Sequence, residues 1–172
     1  KVKEHILEIG TPLAFQSYYG QYFPDWRPSQ DHKLSYSTKL GILLEASHEL
    51  DYARWLLGEA KVVYSFIKNT GTVGFQSEDV ADIQLLFSGS IPGHVHLNCL
   101  DKRYTRWCRI LGSEGTFLWD YQAPDTAILF KDTVKVLRTP DIYPNDMYYD
   151  EVASFIHCIK EGTTPEVTGE DG

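Results

Sequence analysis

The sequence predicts an α+β domain: a large, mostly antiparallel, open-faced sheet with helices packed on one face. Three observations predict it. Over 41–57, Leu43, Leu44, Ala46, Leu50, Ala53, Trp55 and Leu57 recur at helical spacing. Seven short runs rich in β-branched and aromatic residues follow. Turn signals such as Ser88-Gly89-Ser90, Gly112-Ser113-Glu114-Gly115 and Lys131-Asp132 separate several of them, which favours antiparallel pairing of neighbours.

Taken in order, Lys1 to Ile9 carries Ile6, Leu7 and Ile9 among charges, and Gly10 supplies a helix stop. Pro12 opens an aromatic-rich strand over 13–19. Residues 21–39 have no period and hold Pro24, Pro28, tyrosines and charges, the character of a functional loop. The central helix ends at Gly58. Strands are expected at 62–67, 80–87, 93–100, 107–111, 116–119, 127–130 and 134–137. Asn145 offers an N-cap for a last helix whose apolar stripe is Tyr148, Val152, Phe155, Ile156 and Ile159, and Gly162 ends it. With no internal repeat, low-complexity run or interior linker, residues 1–172 read as one domain.

Composition narrows the function classes. At 172 residues and 42% hydrophobic, the chain can bury a sizeable core. Lys plus Arg is 16 against 24 for Asp plus Glu, a net charge of -8 that argues against a nucleic-acid partner. No apolar run is long enough for a membrane span. Cys99, Cys108 and Cys158 are odd in number and far apart, which favours structural thiols and a reducing, cytoplasmic setting over a disulfide framework or a cysteine zinc site. His94 and His96 share a strand face but lack an evident third ligand, so no metal is expected.

Two regions hold candidate chemistry. Glu45, His48 and Asp51 repeat every three residues on the central helix. A histidine among carboxylates suits proton transfer; the same pattern also fits a partly exposed helix whose His48 closes a hydrogen-bond network. The loop Tyr22-Phe23-Pro24-Asp25-Trp26-Arg27-Pro28 offers aromatic faces and a forked donor, which suit sugars and phosphates, or clamp a structural loop. Arg103, Tyr104 and Arg106 are either an anion-facing cluster or a solvated hairpin turn.

The segment from Gly41 through Glu45, His48, Asp51, Trp55 and Leu56 to Gly58 resembles the central helix of the Gfo/Idh/MocA oxidoreductases, with an acidic residue, His-x-x-Asp and Trp-Leu-x-Gly. Residues 21–28 and Ser35-Tyr36-Ser37 are similar to a branch of that family associated with sugar and nucleotide-sugar metabolism. Arg109 to Phe117 resembles its Ile-x-Gly-x-x-Gly-Thr hairpin, Asn145-Asp146-Met147-Tyr148 a recurrent start of its late helix, and Pro165 to Gly172 its closing segment.

The resemblance implies a glyceraldehyde-3-phosphate-dehydrogenase-like C-terminal fold that binds substrate and forms oligomers through its sheet face. It implies NAD or NADP as cofactor, held mainly by an N-terminal Rossmann domain that this chain lacks. No GxGxxG follows a strand here, and the family's Glu-Lys-Pro is absent. A final helix past Gly172 is expected to be missing as well, so the segment alone is expected to bind no cofactor and to be inactive. Carried over residue by residue, His48 falls on the catalytic acid/base. Glu45 falls near the acidic residue before it, three positions away where many members have Asp at four. Asp51 takes a supporting position, and Tyr22, Trp26, Arg27, Tyr36, Arg103 and Arg106 line the substrate. The implied partner is a sugar or nucleotide sugar, its hydroxyl oxidised by hydride transfer to nicotinamide. Two other readings remain: a non-catalytic oligomerisation or ligand-binding module using the open sheet face, and a cofactor-free acid–base enzyme, for which no second carboxylate is marked out.

Overall fold

The computed structural model describes residues 2–26, 41–123, 125–138, 145–165 and 167–169. These fall into two compact units, 1–138 and 139–172.

The first unit opens with one turn of helix, α1 (Val2–His5), and a tighter 3-10 turn, Ile6–Ile9, that buries Ile6 and Ile9. Gly10, at φ +75°, ends it, a conformation that favours glycine. Strand β1 (Pro12–Gly20) follows, then a one-turn helix α2 (Phe23–Trp26) inside the expected loop. The central helix is not continuous. It runs as α3 (Ile42–Glu45) and α4 (His48–Leu57), with a turn at Ala46–Ser47 where Ala46 leaves helical angles (φ -110°, ψ 24°). The turn leaves the buried stripe in one helical phase. Ile42, Ala46, Glu49 and Ala53 are buried, while Leu44 and Trp55, placed on the apolar face by the sequence pattern, are exposed.

The remaining strands are β2 (Ala60–Lys68), β3 (Val80–Phe87), β4 (Ile91–Asn98), β5 (Thr105–Gly112), β6 (Thr116–Asp120), β7 (Asp125–Leu129) and β8 (Val134–Arg138). They form one eight-stranded sheet in the order β2-β3-β4-β1-β5-β6-β7-β8. Strands consecutive in that run from β2 to β8 pair antiparallel, as the short turns require, except across the β4–β5 gap. There β1 inserts, antiparallel to β5 and parallel to β4, a placement that hairpin logic alone does not predict.

Alternation sorts the two faces. Phe15, Ile83, Leu85, Phe87, Val95, Leu97, Ile110, Phe117 and Ile128 point to the buried face and form the core. Phe15 meets Phe87 and Tyr52 edge-on, at centroid distances of 5.8 and 6.3 Å. On the opposite face Tyr18 stacks between His96 (4.9 Å) and Trp107 (5.9 Å). Tyr64, Phe66, Leu86, Val134 and Val136 are exposed towards its margins. The β5–β6 hairpin holds the N-terminal turn close. Glu114 N donates to Ile9 O (2.9 Å) and Ser113 N to Thr11 O (3.0 Å). A Cβ on Gly112 would lie 2.1 Å from Ile9 O, so that contact requires glycine.

In the second unit, α5 (Asp146–Glu161) begins after Asn145, whose side chain makes no capping hydrogen bond, and ends at Gly162 in the left-handed conformation (φ +63°). Among the described residues no helix is long and apolar enough to cross a membrane.

Candidate functional site

At the C-terminal end of β1, three elements bring charged groups into the buried face. β1 turns Ser17 and Tyr19 inward by its two-residue period. α4 starts at His48, so His48 and Glu49 occupy its first turn and meet those residues. β5 contributes Arg106 from the same face as Cys108 and Ile110.

Glu49 is fully buried and accepts three side-chain hydrogen bonds. Arg106 Nε donates to its Oε1 at 2.6 Å, Ser17 Oγ donates to Oε2 at 2.5 Å, and the Tyr52 hydroxyl donates to the same Oε2. Ser17 Oγ and Tyr52 OH lie 2.6 Å apart. Burial, with the Glu49 charge beside it, holds the Tyr52 hydroxyl protonated far above its ordinary range. Arg106 lies against two rings, its guanidinium carbon 6.0 Å from the Tyr19 centroid and 5.3 Å from that of Trp119.

His48 sits on top of this pair. Its Nε2 is buried, 3.5 Å from Glu49 Oε1, and has no hydrogen-bond partner, whereas the side chain as a whole is 44% exposed. Tyr19 packs edge-to-face on the imidazole at 5.6 Å. Burial, then the Arg106 cation, lowers the His48 pKa below its ordinary value, and the negative charges of Glu49 and Asp51 oppose them. Its surroundings thus favour the neutral imidazole, the form able to accept a proton.

An aromatic chain runs on from His48. Tyr19 meets Tyr104 (5.9 Å), Tyr104 meets Tyr121 (5.2 Å), Tyr121 meets Trp119 (6.3 Å) and Trp119 meets Tyr52 (6.3 Å), all edge-to-face. Burial raises the Tyr19 hydroxyl far above its ordinary range as well.

The structure thus brings together His48, Arg106 and Glu49, the last unmarked in the sequence reading. Its signal was present: Ala46, Glu49 and Ala53 lie at helical spacing, so a carboxylate falls on the buried stripe. Glu45 ends α3, separated from His48 by the turn at 46–47, and Asp51 is exposed. Tyr22 is half-buried at the end of β1, with Lys102 Nζ 2.9 Å from its ring centroid. Arg103 is exposed on the β4–β5 connection. Arg27, Tyr36 and the Trp26 side chain lie outside the described residues. On the open face, Asp82 Oδ1 lies 2.8 Å from His96 Nδ1 and 3.2 Å from His94 Nε2. Burial works to raise the Asp82 pKa, but its bonds to His96 and His94 carry it below the ordinary value. Among the described residues, no group of three or more His, Cys, Asp or Glu side chains could hold a metal ion.

The first unit is an open eight-stranded, mostly antiparallel sheet with helices on its buried face and a half-exposed histidine at the start of α4, and known proteins share this fold. The sequence model described as "GFO/IDH/MocA C-terminal domain" matches residues 2–118, and the chain belongs to that family. Among solved structures, levoglucosan dehydrogenase in complex with NADH and levoglucosan superposes with a TM-score of 0.80 at 20% identity, over 96% of this chain and 54% of that one. Aldose-aldose oxidoreductase from Caulobacter crescentus, complexed with glycerol, gives 0.79 at 21%, over 98% and 52%. KijD10, a 3-ketoreductase from Actinomadura kijaniata, in complex with NADP, gives 0.76 at 16%, over 99% and 51%. The chain spans about half the length of these proteins. A search of the curated proteins finds no match.

Proposed function

We propose that this chain is the substrate-binding half of an NAD(P)-dependent dehydrogenase acting on a hydroxyl of a sugar or nucleotide sugar, with His48 as its acid/base. The observation that carries the reading is His48 itself: a half-exposed imidazole whose buried Nε2 lies 3.5 Å from the fully buried Glu49 carboxylate, in surroundings that favour its neutral form. In the oxidation direction the substrate O–H bond breaks, the proton passes to His48, and the oxygen's electron pair closes the carbonyl. A nicotinamide dinucleotide, when bound, supplies the acceptor for the hydride that leaves the same carbon.

The described residues fit the alcohol side of this reaction. β1 leads into α2 through Gly20-Gln21-Tyr22, without the glycine pattern that lets a backbone close on a pyrophosphate, so the dinucleotide phosphates are assigned to a separate nucleotide-binding domain. Tyr22, Trp26, Arg27, Tyr36 and Arg103 are assigned to the substrate rim, and the chain alone is inactive on this reading. A reducing, cytoplasmic setting for the protein is supported by its free cysteines Cys99, Cys108 and Cys158. In the intact enzyme, His48→Ala lowers kcat by about 10²–10⁴-fold while dinucleotide affinity is unchanged. Turnover like that of the wild type would sink the assignment.

The open sheet face supports a second reading that is compatible with the first. Its exposed apolar margins and central Tyr18–His96–Trp107 stack suit pairing with a second copy of the chain. Light scattering on Trp107→Glu should then report a smaller assembly than the wild type, and an unchanged mass would reject this face.

A further inference from the structure

A carboxylate taken out of water with its cation is costly to desolvate, and hydrophobic residues would fill the same space at less expense. Glu49, fully buried, nevertheless pairs with Arg106, one-fifth exposed, beside His48, and Glu49 has recruited Ser17 and Tyr52 as well. Three groups on two strands and a helix therefore fix one carboxylate, whose Oε1 lies 3.5 Å from the buried Nε2 of His48. Nδ1 of the same ring has no hydrogen-bond partner among the described residues.

We propose that Glu49 is the positioning residue for His48: its carboxylate, locked by Arg106, Ser17 and Tyr52, holds the imidazole in the tautomer with hydrogen on Nε2. Nδ1 is then the atom that receives the substrate proton. The lone-pair directions of the two ring nitrogens diverge, so fixing one inward turns the other towards the exposed side. When Nδ1 takes the proton, the imidazolium stands against a fixed carboxylate, the logic of an orienting acid behind a general base. The groups that face the ring are Glu49 and Asp51 from α4, Arg106 from β5 and Tyr19 from β1. Of these, Glu49 is the fully buried carboxylate, with an oxygen 3.5 Å from Nε2, an ion-pair approach short of a formed hydrogen bond that closes as the ring takes up its proton. The inference rests on the dehydrogenase reading for its purpose but not for its test.

That test is a nitrogen-15 NMR titration of His48 in the intact protein, which reports tautomer and midpoint without turnover. Wild type should carry hydrogen on Nε2 in its neutral form. Glu49→Gln removes the anion but keeps the Arg106 cation, so the midpoint falls by about one unit. The double variant Glu49→Leu/Arg106→Met removes both charges. Its midpoint should lie above that of Glu49→Gln, and its preference for Nε2–H should be lost. Where Glu49→Gln fails to fold, the double variant still reads the tautomer. A neutral wild-type ring protonated on Nδ1, a Glu49→Gln midpoint equal to wild type, or an unchanged tautomer in the double variant would each overturn the proposal. Activity separates the two ideas: an intact Glu49–His48 coupling beside a fully active His48→Ala would reject the dehydrogenase reading and leave the coupling standing.

Discussion

The Glu49–Arg106 pair makes a quantitative prediction about stability that is independent of catalysis. Arg106→Met leaves the Glu49 carboxylate fully buried and strips its 2.6 Å donor, keeping only Ser17 and Tyr52. Breaking a buried pair on one side costs about 3–5 kcal/mol. Glu49→Leu strands the cation instead, but Arg106 is one-fifth exposed and retains a side-chain hydrogen bond with Tyr104, so about 2–3 kcal/mol is expected. The double variant restores balance. Ser17 Oγ and Tyr52 OH, already 2.6 Å apart, satisfy one another, and Leu and Met fill a similar volume. Its stability should return to within about 1 kcal/mol of wild type, a coupling of about 4 kcal/mol or more across the cycle. Urea denaturation of the four proteins measures this from the midpoints at constant m-value. A double variant as unstable as the sum of the two singles would show that the pair is not an energetic unit.

Three further outcomes are expected. Because the His48 pKa is depressed, kcat/KM in the oxidation direction should rise with pH through a midpoint below 6.5 and then level off; the stability from holding the ring neutral is present above 6.5 and lost as pH falls through that lower midpoint, so an acid limb above 6.5 would contradict the local field. Gly112→Ala places a methyl 2.1 Å from Ile9 O and should cost about 1–3 kcal/mol while exposing the N-terminal turn to proteolysis, and a wild-type melting curve would refute that packing. Cys108, whose thiol burial pushes up to about 12, and Cys99, also raised by burial, should resist thiol reagents in the native state, whereas half-exposed Cys158 reacts; rapid labelling of Cys108 would show that the core opens.

The strands were legible because they obey a short rule: runs rich in β-branched and aromatic residues, many of them bounded by turn residues, located each of them within a few positions. The glycine stops at Gly10, Gly58 and Gly162 were legible for a similar local reason, since each carries the positive φ that ends a helix. What the sequence hid depended on contacts distant along the chain. The insertion of β1 between β4 and β5 is a tertiary choice. On the central helix the buried stripe is Ile42, Ala46, Glu49 and Ala53, so Leu44 and Trp55 face out and a carboxylate, not an apolar side chain, faces in. His48 was visible through family resemblance, but its support was not: Ser17 comes from 32 residues upstream of Glu49 and Arg106 from 57 residues downstream. Ser17 did leave a trace, as a hydroxyl between Phe15 and Tyr19 on the inward alternation of a strand. Arg106, grouped by the sequence with substrate contacts, has its Nε committed to Glu49.

The placement of β1 has a consequence for how the molecule comes into being. Its partners are Phe15 with Gly93 on one side and Ile110 on the other, so its pairing spans most of the first unit. The hairpins β3–β4 and β5–β6 close over a few residues and can form early, whereas β1 leaves the ribosome first and must wait for both neighbours. Ser17 and Tyr19 travel on that strand, and the Glu49 carboxylate has its full set of donors only once β1 docks. A chain in which β1 has not docked therefore holds an unpaired sheet centre and a buried carboxylate short of one of its donors.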